Sequence, residues 1–238
     1  MVGPGETVRL LAERIRTLET SSRSCEPTTI PLGAYGLGDL FPAGRLSSGS
    51  LVELLPRVPG AGAWTLALLL ARHACGECKT LVIADPERCF YPPAARKLGI
   101  DSGRTIILRP RASGEALVAV AQALRCSAIG AAIGAFERLA DRDGRRLQLA
   151  AESAGAVGVL LRPVSTIGSP SFASVRWLMD PLPSARGRRR MRLEVLRCRG
   201  GQEGKTMGVE IDDATGHVRT FSLLELAAEL ASTPRSTG

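Results

Sequence analysis

Residues 51–84 read "LVELLPRVPGAGAWTLALLLARHACGECKTLVIA", and this stretch indicates the fold class. The segments 51–55 and 80–84 are short apolar runs of the kind that form buried strands, and 64–75 is long and apolar enough for a buried helix. Because nearly all successive positions of both strands are apolar, each strand should be covered on both faces. A strand, a glycine-containing loop, a helix and a second strand together predict a βαβ unit.

The alternation of strands and helices continues beyond this unit. Further helices are expected at 94–98, 113–125 and 145–154, and further strands at 105–108, 128–136 and 157–161. After residue 170 the pattern changes, because three strand-like segments follow one another without a helix, at 173–179, 191–197 and 207–212, before a last helix near 223–231. The fold class predicted is α/β: a mostly parallel twisted sheet flanked by helices, ending in antiparallel strands.

Residues 6–19 precede this core and have the pattern of an amphipathic helix. One face would carry the apolar side chains of Val8, Leu11, Ile15 and Leu18. A stretch containing serine and proline follows, so the helix should form an arm that buries this face on its own domain or on a partner. We therefore divide the chain into an arm and linker (1–29), an α/β core with a C-terminal β extension (30–220), and a terminal helix and tail (221–238).

The composition indicates a globular protein rather than a membrane or secreted one. Of the 238 residues, 45% are apolar, which is enough for a packed core. The longest uncharged run, 58–71, is shorter than the roughly 20 residues that a membrane helix needs. The N-terminal segment has no basic region followed by an apolar one, so no signal peptide is expected. These features predict a cytoplasmic location.

The six cysteines have no spacing typical of a disulfide framework. Only Cys75 and Cys78 have a metal or redox spacing, and they fall at the end of a helix, whereas a redox pair needs a helix N-terminus to lower the thiol pKa. No second pair completes a zinc site. We expect structural thiols in a reducing compartment, no metal and no cofactor.

The positive charge is concentrated in one segment. The net charge is +8, and 186–205 contains eight basic and two acidic residues. Such a cluster suggests a polyanionic partner, most often DNA, although a solvated surface loop is the alternative. Nearby glycine and proline suggest a flexible hairpin tip that would bind DNA weakly, with sensitivity to salt and without sequence preference. The candidate DNA-binding residues are Arg186, Arg188, Arg189, Arg190 and Arg192.

Several motifs in a fixed order resemble the RecA recombinase core. They are "PLGAYGLGDLFPAGRLSSGSLVELL", the glycine loop, "LVIADPERCFYPPAARKLGID", "SGEALVAVAQAL", "SFASVRWLM" and "RRRMRLEVLRCRGG". The resemblance covers roughly 30–200, and the ending "LRCRGG…VEIDDATG" is most similar to the ImuA family. It implies a RecA-like core and an accessory role in SOS mutagenesis and translesion synthesis, beside the polymerase-like ImuB and an error-prone C-family DNA polymerase.

The resemblance also locates the phosphate loop of a RecA-type ATP site. In a working loop, backbone N–H groups hold the phosphates, a lysine neutralises them, and the next serine or threonine hydroxyl binds Mg²⁺. Here Gly60 and Gly62 keep the turn, Ala63 stands at the position of the lysine and Trp64 at that of the hydroxyl. Thr65 comes one position too late. The resemblance thus implies a loop without its cations.

Other parts of the ATP machinery are also changed. Glu87 matches the glutamate that polarises the attacking water, but Gly134 stands where the Mg²⁺-orienting aspartate belongs. Ala94 replaces the residue that stacks on adenine, and Arg162 or Pro163 replaces the glutamine that senses the γ-phosphate. Because Glu87 alone cannot restore hydrolysis, the resemblance implies a degenerate nucleotide site without ATPase activity.

Three functions remain open on the sequence. The first is a non-catalytic scaffold that bridges ImuB, the error-prone polymerase and RecA, with the arm as the docking element. The second is a DNA-dependent ATPase or recombinase of the RecA type with an unusual phosphate loop. The third is a cell-division inhibitor similar to SulA, which would act without DNA. The arginine cluster and the extended RecA-like core favour the first over the third.

Overall fold

A computed structural model describes residues 29–32, 36–41, 44–111, 113–184, 186–201 and 203–226. The strands are Thr29–Pro31 (β1), Arg45–Ser47 (β2), Leu51–Pro56 (β3), Thr80–Ala84 (β4), Thr105–Leu108 (β5), Ile129–Ala135 (β6), Val157–Leu161 (β7), Val175–Pro181 (β8), Arg188–Cys198 (β9), Thr206–Asp212 (β10) and Val218–Phe221 (β11). The α-helices are Ala63–Cys75 (α1), Pro92–Lys97 (α2), Ser113–Leu124 (α3) and Asp141–Ala154 (α4).

Among the described residues, nine strands form one mixed sheet. Their order is β11-β10-β9-β8-β3-β7-β6-β4-β5. The pairs from β8 through β3, β7, β6 and β4 to β5 are parallel, whereas β8 to β11 pair antiparallel. The predicted α/β class, with a mostly parallel sheet that ends in antiparallel strands, is confirmed. Strands β1 and β2 form a separate antiparallel pair.

The sheet is covered differently on its two faces. Helix α1 packs on β6, β7, β3 and β4, and its leucines share one apolar core with Trp177 of β8, which is fully buried. Helices α3 and α4 pack together over the opposite face in a second core. The carboxyl ends of the parallel strands lie along one edge of the sheet, which is where ligands bind in open α/β folds.

Helix α4 begins earlier than the sequence predicts. It starts at Asp141 rather than at 145, with Asp141 and Asp143 in its first turn. Negative charge is favoured there by the helix dipole, so the turn is stable without apolar residues. Gly144 lies so close to Phe172 that a Cβ would be 3.2 Å from the ring. Because this turn is polar and contains glycine, the apolar periodicity is visible only from Leu147 onward.

Two predicted elements fall wholly or partly beyond the described residues. The arm at 6–19, with Val8, Leu11, Ile15 and Leu18, lies outside them, as does the last helix after residue 226. Residues 223–226 are helical. The division into arm, core and tail stays a prediction. In the part of the chain that is described, no helix is long and apolar enough to cross a membrane.

Candidate functional site

The loop between β3 and α1 turns through two glycines. Gly60 and Gly62 both have φ +84°, in the region that favours glycine. Gly62 is also constrained by packing, since a Cβ there would lie 2.5 Å from Cε of Met191 on β9. Gly62 is the N-cap of α1 and provides no side-chain cap. The first N–H groups of α1 therefore depend on other acceptors.

The two residues that follow Gly62 supply neither a cation nor a metal ligand. Ala63 is buried and Trp64 is half-buried. Trp64 contributes to the wall of a cavity of about 540 Å³ at the carboxyl ends of the parallel strands. We call this the loop cavity, and its wall includes Trp64, Asp85, Glu87, Arg111, Glu137 and Arg162. An indole offers no oxygen ligand of the kind that Mg²⁺ requires.

Thr65 faces a neighbouring cavity of about 420 Å³, which it shares with Trp64, Phe90 and Arg189. Its hydroxyl oxygen accepts a hydrogen bond from Nη1 of Arg189. Arg189 is also paired with Asp213, at 3.5 Å between Nη2 and Oδ1. The hydroxyl is thus held by a strand that follows more than a hundred residues later, and it is not among the groups that form the loop cavity.

Glu87 lies in the wall of the loop cavity and is exposed. It follows Asp85, a buried carboxylate that the sequence analysis missed. Asp85 accepts hydrogen bonds from the backbone N–H groups of Cys89, at 2.8 Å, and Phe90, at 3.1 Å. These bonds stabilise the turn that contains Glu87 and Arg88. The φ of Arg88 is +57°, which is unusual for a residue other than glycine. The buried strand that ends directly before Asp85 was the signal for it.

Gly134 is close to the loop cavity, but the space for a side chain there is already filled. A Cβ at Gly134 would lie 2.7 Å from the ring of Phe136 and 3.1 Å from Val120 on α3. The adjacent Ala135 and Phe136 form part of the cavity wall. An aspartate at position 134 would therefore have to displace the Phe136 ring.

A buried cluster of charged groups lies beside the same cavity. Glu53 on β3 is opposite Arg176 on β8, and the two form a hydrogen bond of 2.8 Å between Nε and Oε2. Arg176 also donates to three backbone carbonyls in the segment 166–169. Arg162, directly after β7, places Nη1 3.6 Å from Oε1 of Glu53. The three side chains are between 2% and 8% exposed.

This cluster was not found from the sequence, although charged residues inside otherwise apolar strands were a visible signal. Burial is the main influence on Arg162: it lowers the pKa of the guanidinium, against the attraction of Glu53. From the sequence, Arg162 stood out only as a replacement for a missing glutamine. Its partnership with Glu53 depends on the order of the strands.

The predicted arginine set is divided by the structure. The prediction of a flexible hairpin tip is wrong for most of it, because Arg188, Arg189, Arg190 and Arg192 lie in strand β9. Only Arg186 lies in the turn before this strand. Side chains alternate along a strand, so Arg189 lies on the α1 face while Arg188, Arg190 and Arg192 lie on the opposite face. The sequence suggested a loop because glycine and proline lie close to the arginines. In the structure, these residues precede strand β9 and do not interrupt it.

Acidic residues on neighbouring strands neutralise much of this basic face. Glu210 on β10 is paired with Arg190, Arg188 and Arg219, at 2.7, 3.5 and 3.3 Å. Burial opposes ionisation of Glu210, but the hydrogen bond from Arg190 and the charges of the other arginines outweigh it and hold the pKa of Glu210 below its usual value. Glu210 is therefore an anion at neutral pH.

A second carboxylate belongs to the same face. Asp180 on β8 is paired with Arg57 at 2.7 Å and with Arg192 at 3.8 Å, and Arg192 also contacts Glu194 at 3.2 Å. Among the described residues, these two ion-paired groups together contain five arginines and three carboxylates, with a net charge of +2.

The cysteines that the structure describes are free thiols. Burial raises the pKa of Cys75 to about 11, so this thiol is protonated at neutral pH. No group of three or more metal-binding side chains is present within the described residues.

No family model matches the chain. The chain is similar to Protein ImuA from two strains of Caulobacter vibrioides, with 30% identity over 210 residues, covering 79% of this chain and 85% of that protein. Among solved structures, it resembles the crystal structure of the RadB recombinase with a TM-score of 0.61 and 16% identity. That likeness covers 79% of this chain and 98% of the other, and it shows a shared RecA-like fold.

Proposed function

Because this chain belongs to the ImuA family, we propose that it is a non-catalytic, RecA-like accessory protein of error-prone translesion DNA synthesis. In this proposal it bridges ImuB, the error-prone C-family polymerase and RecA. It participates in the response to DNA damage by assembling these proteins, and it hydrolyses no nucleotide itself.

The observation that carries this proposal is the chemistry of the phosphate loop. Ala63 and Trp64 supply neither a cation nor a metal ligand, and Thr65 is hydrogen-bonded to Arg189. Within the loop itself, only the helix N-terminus is then left to balance phosphate charge, and its contribution is on the order of 1 kcal/mol per charge at best. Without a bound metal and a positioned phosphate, Glu87 has no charge development to assist. The loop therefore supports a binding role better than a catalytic one.

The partners are proposed from family membership. The arm at 6–19 is the proposed docking element, with Leu11, Ile15 and Leu18 in a helix-in-groove contact. Docking on RecA would cap or titrate its filament, and docking on ImuB would bring this chain to the polymerase. A capped RecA filament end would slow recombination and favour lesion bypass.

DNA binding is proposed as weak and independent of sequence. The arginines of β9 are largely paired with Glu210 and Asp180, so few of their charges remain for phosphates. The exposed Arg186 precedes this paired face. Each phosphate that is contacted adds about 0.9 to the slope of log affinity against log salt on duplex DNA. A total slope near 2 is expected from the net charge of this face.

The test of the accessory role has two arms. Purified protein is assayed for ATP binding and for DNA-stimulated ATP hydrolysis beside an active RecA, and we expect neither. Immobilised protein is then offered ImuB, RecA and the division GTPase that SulA-type inhibitors bind, with and without residues 1–20. Retention of ImuB or RecA that is lost with the arm supports the proposal, whereas retention of the division GTPase alone contradicts it.

The rival function is an ATPase. One observation favours it: a cavity of about 540 Å³ lies beside the loop, and Glu87 forms part of its wall. A variant that separates the two functions is Glu87→Gln. If the wild type hydrolyses ATP and Glu87→Gln does not, the protein is an enzyme that holds phosphate in another way.

A further inference from the structure

A cavity of about 510 Å³ lies at the edge of the sheet opposite the β3–α1 loop. Strands β3 and β8 begin at this edge, and β9 ends there. Four serines form part of the wall: Ser47, Ser48 and Ser50 from the end of β2 and the turn to β3, and Ser174 before β8. We call it the serine cavity. Its volume is within the range of about 300–1,000 Å³ that is typical of ligand sites.

The charged residues in the wall of the serine cavity are unbalanced. Arg45 and Arg199 are both exposed, and neither is paired with a carboxylate within the described residues. The carboxylate in the wall, Glu152, accepts a hydrogen bond from Nε2 of Gln148 at 2.8 Å. Burial raises the pKa of the Cys198 thiol, so this group is uncharged at neutral pH. Two cations and one anion leave the wall with a net charge of +1.

These two arginines differ from those of the ion-paired face of β9. Arg188, Arg190 and Arg192 have carboxylate partners on neighbouring strands. Arg199 directly follows the same strand and has no such partner in the part of the chain that the structure describes. An exposed guanidinium without an internal partner is available to a carboxylate from another chain, and its planar fork suits that group.

The floor of the cavity is apolar. Phe41, Leu46 and Val175 form part of the wall and belong to the core that also contains the leucines of α1. Phe41 packs on Trp177, with 5.0 Å between the ring centroids, so its ring is held in place. A free anion would leave this floor in contact with water, whereas an apolar side chain would cover it. The cavity therefore suits a ligand that combines apolar and acidic groups.

Strand β2, which forms one side of the cavity, has a free edge. The N–H of Leu32 donates to the carbonyl of Gly44 at 3.4 Å, in register with the β1–β2 pair. In an antiparallel pair, the residues between such bonded positions direct their N–H and C=O groups outward. Arg45 and Ser47 therefore direct these groups away from β1, and among the described strands β2 pairs with β1 alone. Such an edge can accept an extended peptide.

We propose that the serine cavity binds an extended acidic peptide segment of a protein partner. The peptide backbone pairs with the free edge of β2, an apolar side chain covers the floor, and neighbouring carboxylates bind Arg45 and Arg199. A nucleic-acid strand fits less well, because two arginines provide little of the charge that holds a phosphate backbone. This site rests on the proposed accessory role, since a scaffold needs docking surfaces, and it is separate from the arm at 6–19.

The test is the fluorescence anisotropy of a short fluorescein-labelled peptide in which aspartate and valine alternate, titrated with the full chain. One matched peptide has asparagine in place of aspartate, and a second has serine in place of valine. We expect each matched peptide to bind about tenfold more weakly or worse, because it loses the ion pairs or the buried apolar groups. Inorganic phosphate and an unlabelled single-stranded oligonucleotide are added as competitors at constant ionic strength, and neither should displace the peptide.

Variants of the chain test the two kinds of contact separately. Arg45→Gln and Arg199→Gln should each weaken binding by up to about fivefold, the range of an exposed ion pair, and the double variant should weaken it further. Arg186→Gln is the matched control, because Arg186 is exposed at the opposite edge of the sheet, and it should change nothing. Ser47→Pro removes an outward N–H of β2 and should abolish binding, whereas Ser47→Ala should retain it. Equal melting temperatures show that the variants are folded.

Several results would overturn the proposal. Two of them are equal binding of the aspartate and asparagine peptides, and equal binding by the wild type and the double arginine variant. Displacement by the oligonucleotide at a lower concentration than by unlabelled peptide would assign the cavity to nucleic acid. Binding that requires removal of residues 1–20 would identify the N-terminal segment of this chain as the occupant instead.

The failure of this site and the failure of the accessory role can be told apart. If the immobilised protein retains neither ImuB nor RecA but binds the peptide, the accessory role is contradicted and the site stands. If it retains a partner but does not bind the peptide, the site alone is contradicted.

Discussion

Replacement of Glu53 by glutamine tests whether the buried cluster is held by one shared carboxylate. Glu53 is 2% exposed and lies opposite Arg176 in the parallel pair β3–β8. Glutamine has nearly the same shape and can still accept one hydrogen bond from Arg176. It removes the negative charge, however, and leaves Arg162 and Arg176 buried without a counterion.

The expected loss follows from that uncompensated charge. Removing one partner of a buried ion pair costs about 3–5 kcal/mol, because the other charge remains desolvated. Domains of this kind have a total unfolding free energy of about 5–15 kcal/mol, so the loss is a large part of it. Asp180→Asn is a matched control, since Asp180 also has two arginine partners but in an exposed network. There we expect a loss of less than about 1 kcal/mol.

The assay is urea unfolding followed by far-UV circular dichroism, in a buffer without phosphate or sulfate. The free energies of unfolding of the wild type, Glu53→Gln and Asp180→Asn are compared at equal m-values. Arg162→Met removes the surplus charge, so it should be neutral or stabilising. The reasoning fails if Glu53→Gln and Asp180→Asn lose similar amounts, or if Arg162→Met is as damaging as Glu53→Gln.

Three further outcomes are expected. Trp177→Ala should lower the free energy of unfolding by about 3–5 kcal/mol in the same urea assay, because it empties a fully buried site of the core; a loss below 1 kcal/mol would contradict this packing. Gly134→Asp should lower the melting temperature by an amount equivalent to about 1–3 kcal/mol, because the new side chain meets the ring of Phe136, and an unchanged melting temperature would show that the ring yields freely. Glu210 has a folded pKa below its usual value of 4.5, owing to Arg190 and its neighbours after the opposing effect of burial. Its stabilisation is present above pH 4.5 and is lost as the pH falls through the lower folded pKa, so Glu210→Gln should have a smaller loss of melting temperature on acidification than the wild type; equal pH profiles would refute this assignment.

The strands and helices of the parallel half were predictable because their signals are local. The strand prediction at 80–84 coincides with β4, and that at 157–161 with β7. The beginning of α4 was not predictable from apolar periodicity, because Asp141 and Asp143 stabilise the first turn by charge and Gly144 fits against Phe172. Apolar periodicity indicates which face of a helix is buried, and the polar first turn of α4 has no such periodicity.

The candidate site was only half predictable. That Ala63 and Trp64 can supply neither a cation nor a hydroxyl can be read from the sequence of one loop. The role of Arg189 could not, because a run of arginines looks like one surface, whereas the alternation of β9 places Arg189 beside Thr65 and its neighbours on the other face. When a run of charged residues forms a strand, its side chains alternate between the two faces of the sheet.

The sequence by itself determined the α/β pattern, the turn glycines and the absence of a cation or hydroxyl at residues 63 and 64, because each depends on residues that are close together in the chain. Only the tertiary structure decided which charges meet. Arg176 and Glu53 are 123 residues apart, and Arg189 and Thr65 are 124 apart. The sheet order places β8 beside β3 and carries β9 across the start of α1. A buried charge needs an oppositely charged neighbour, and the order of strands in the sheet determines which residue that neighbour is.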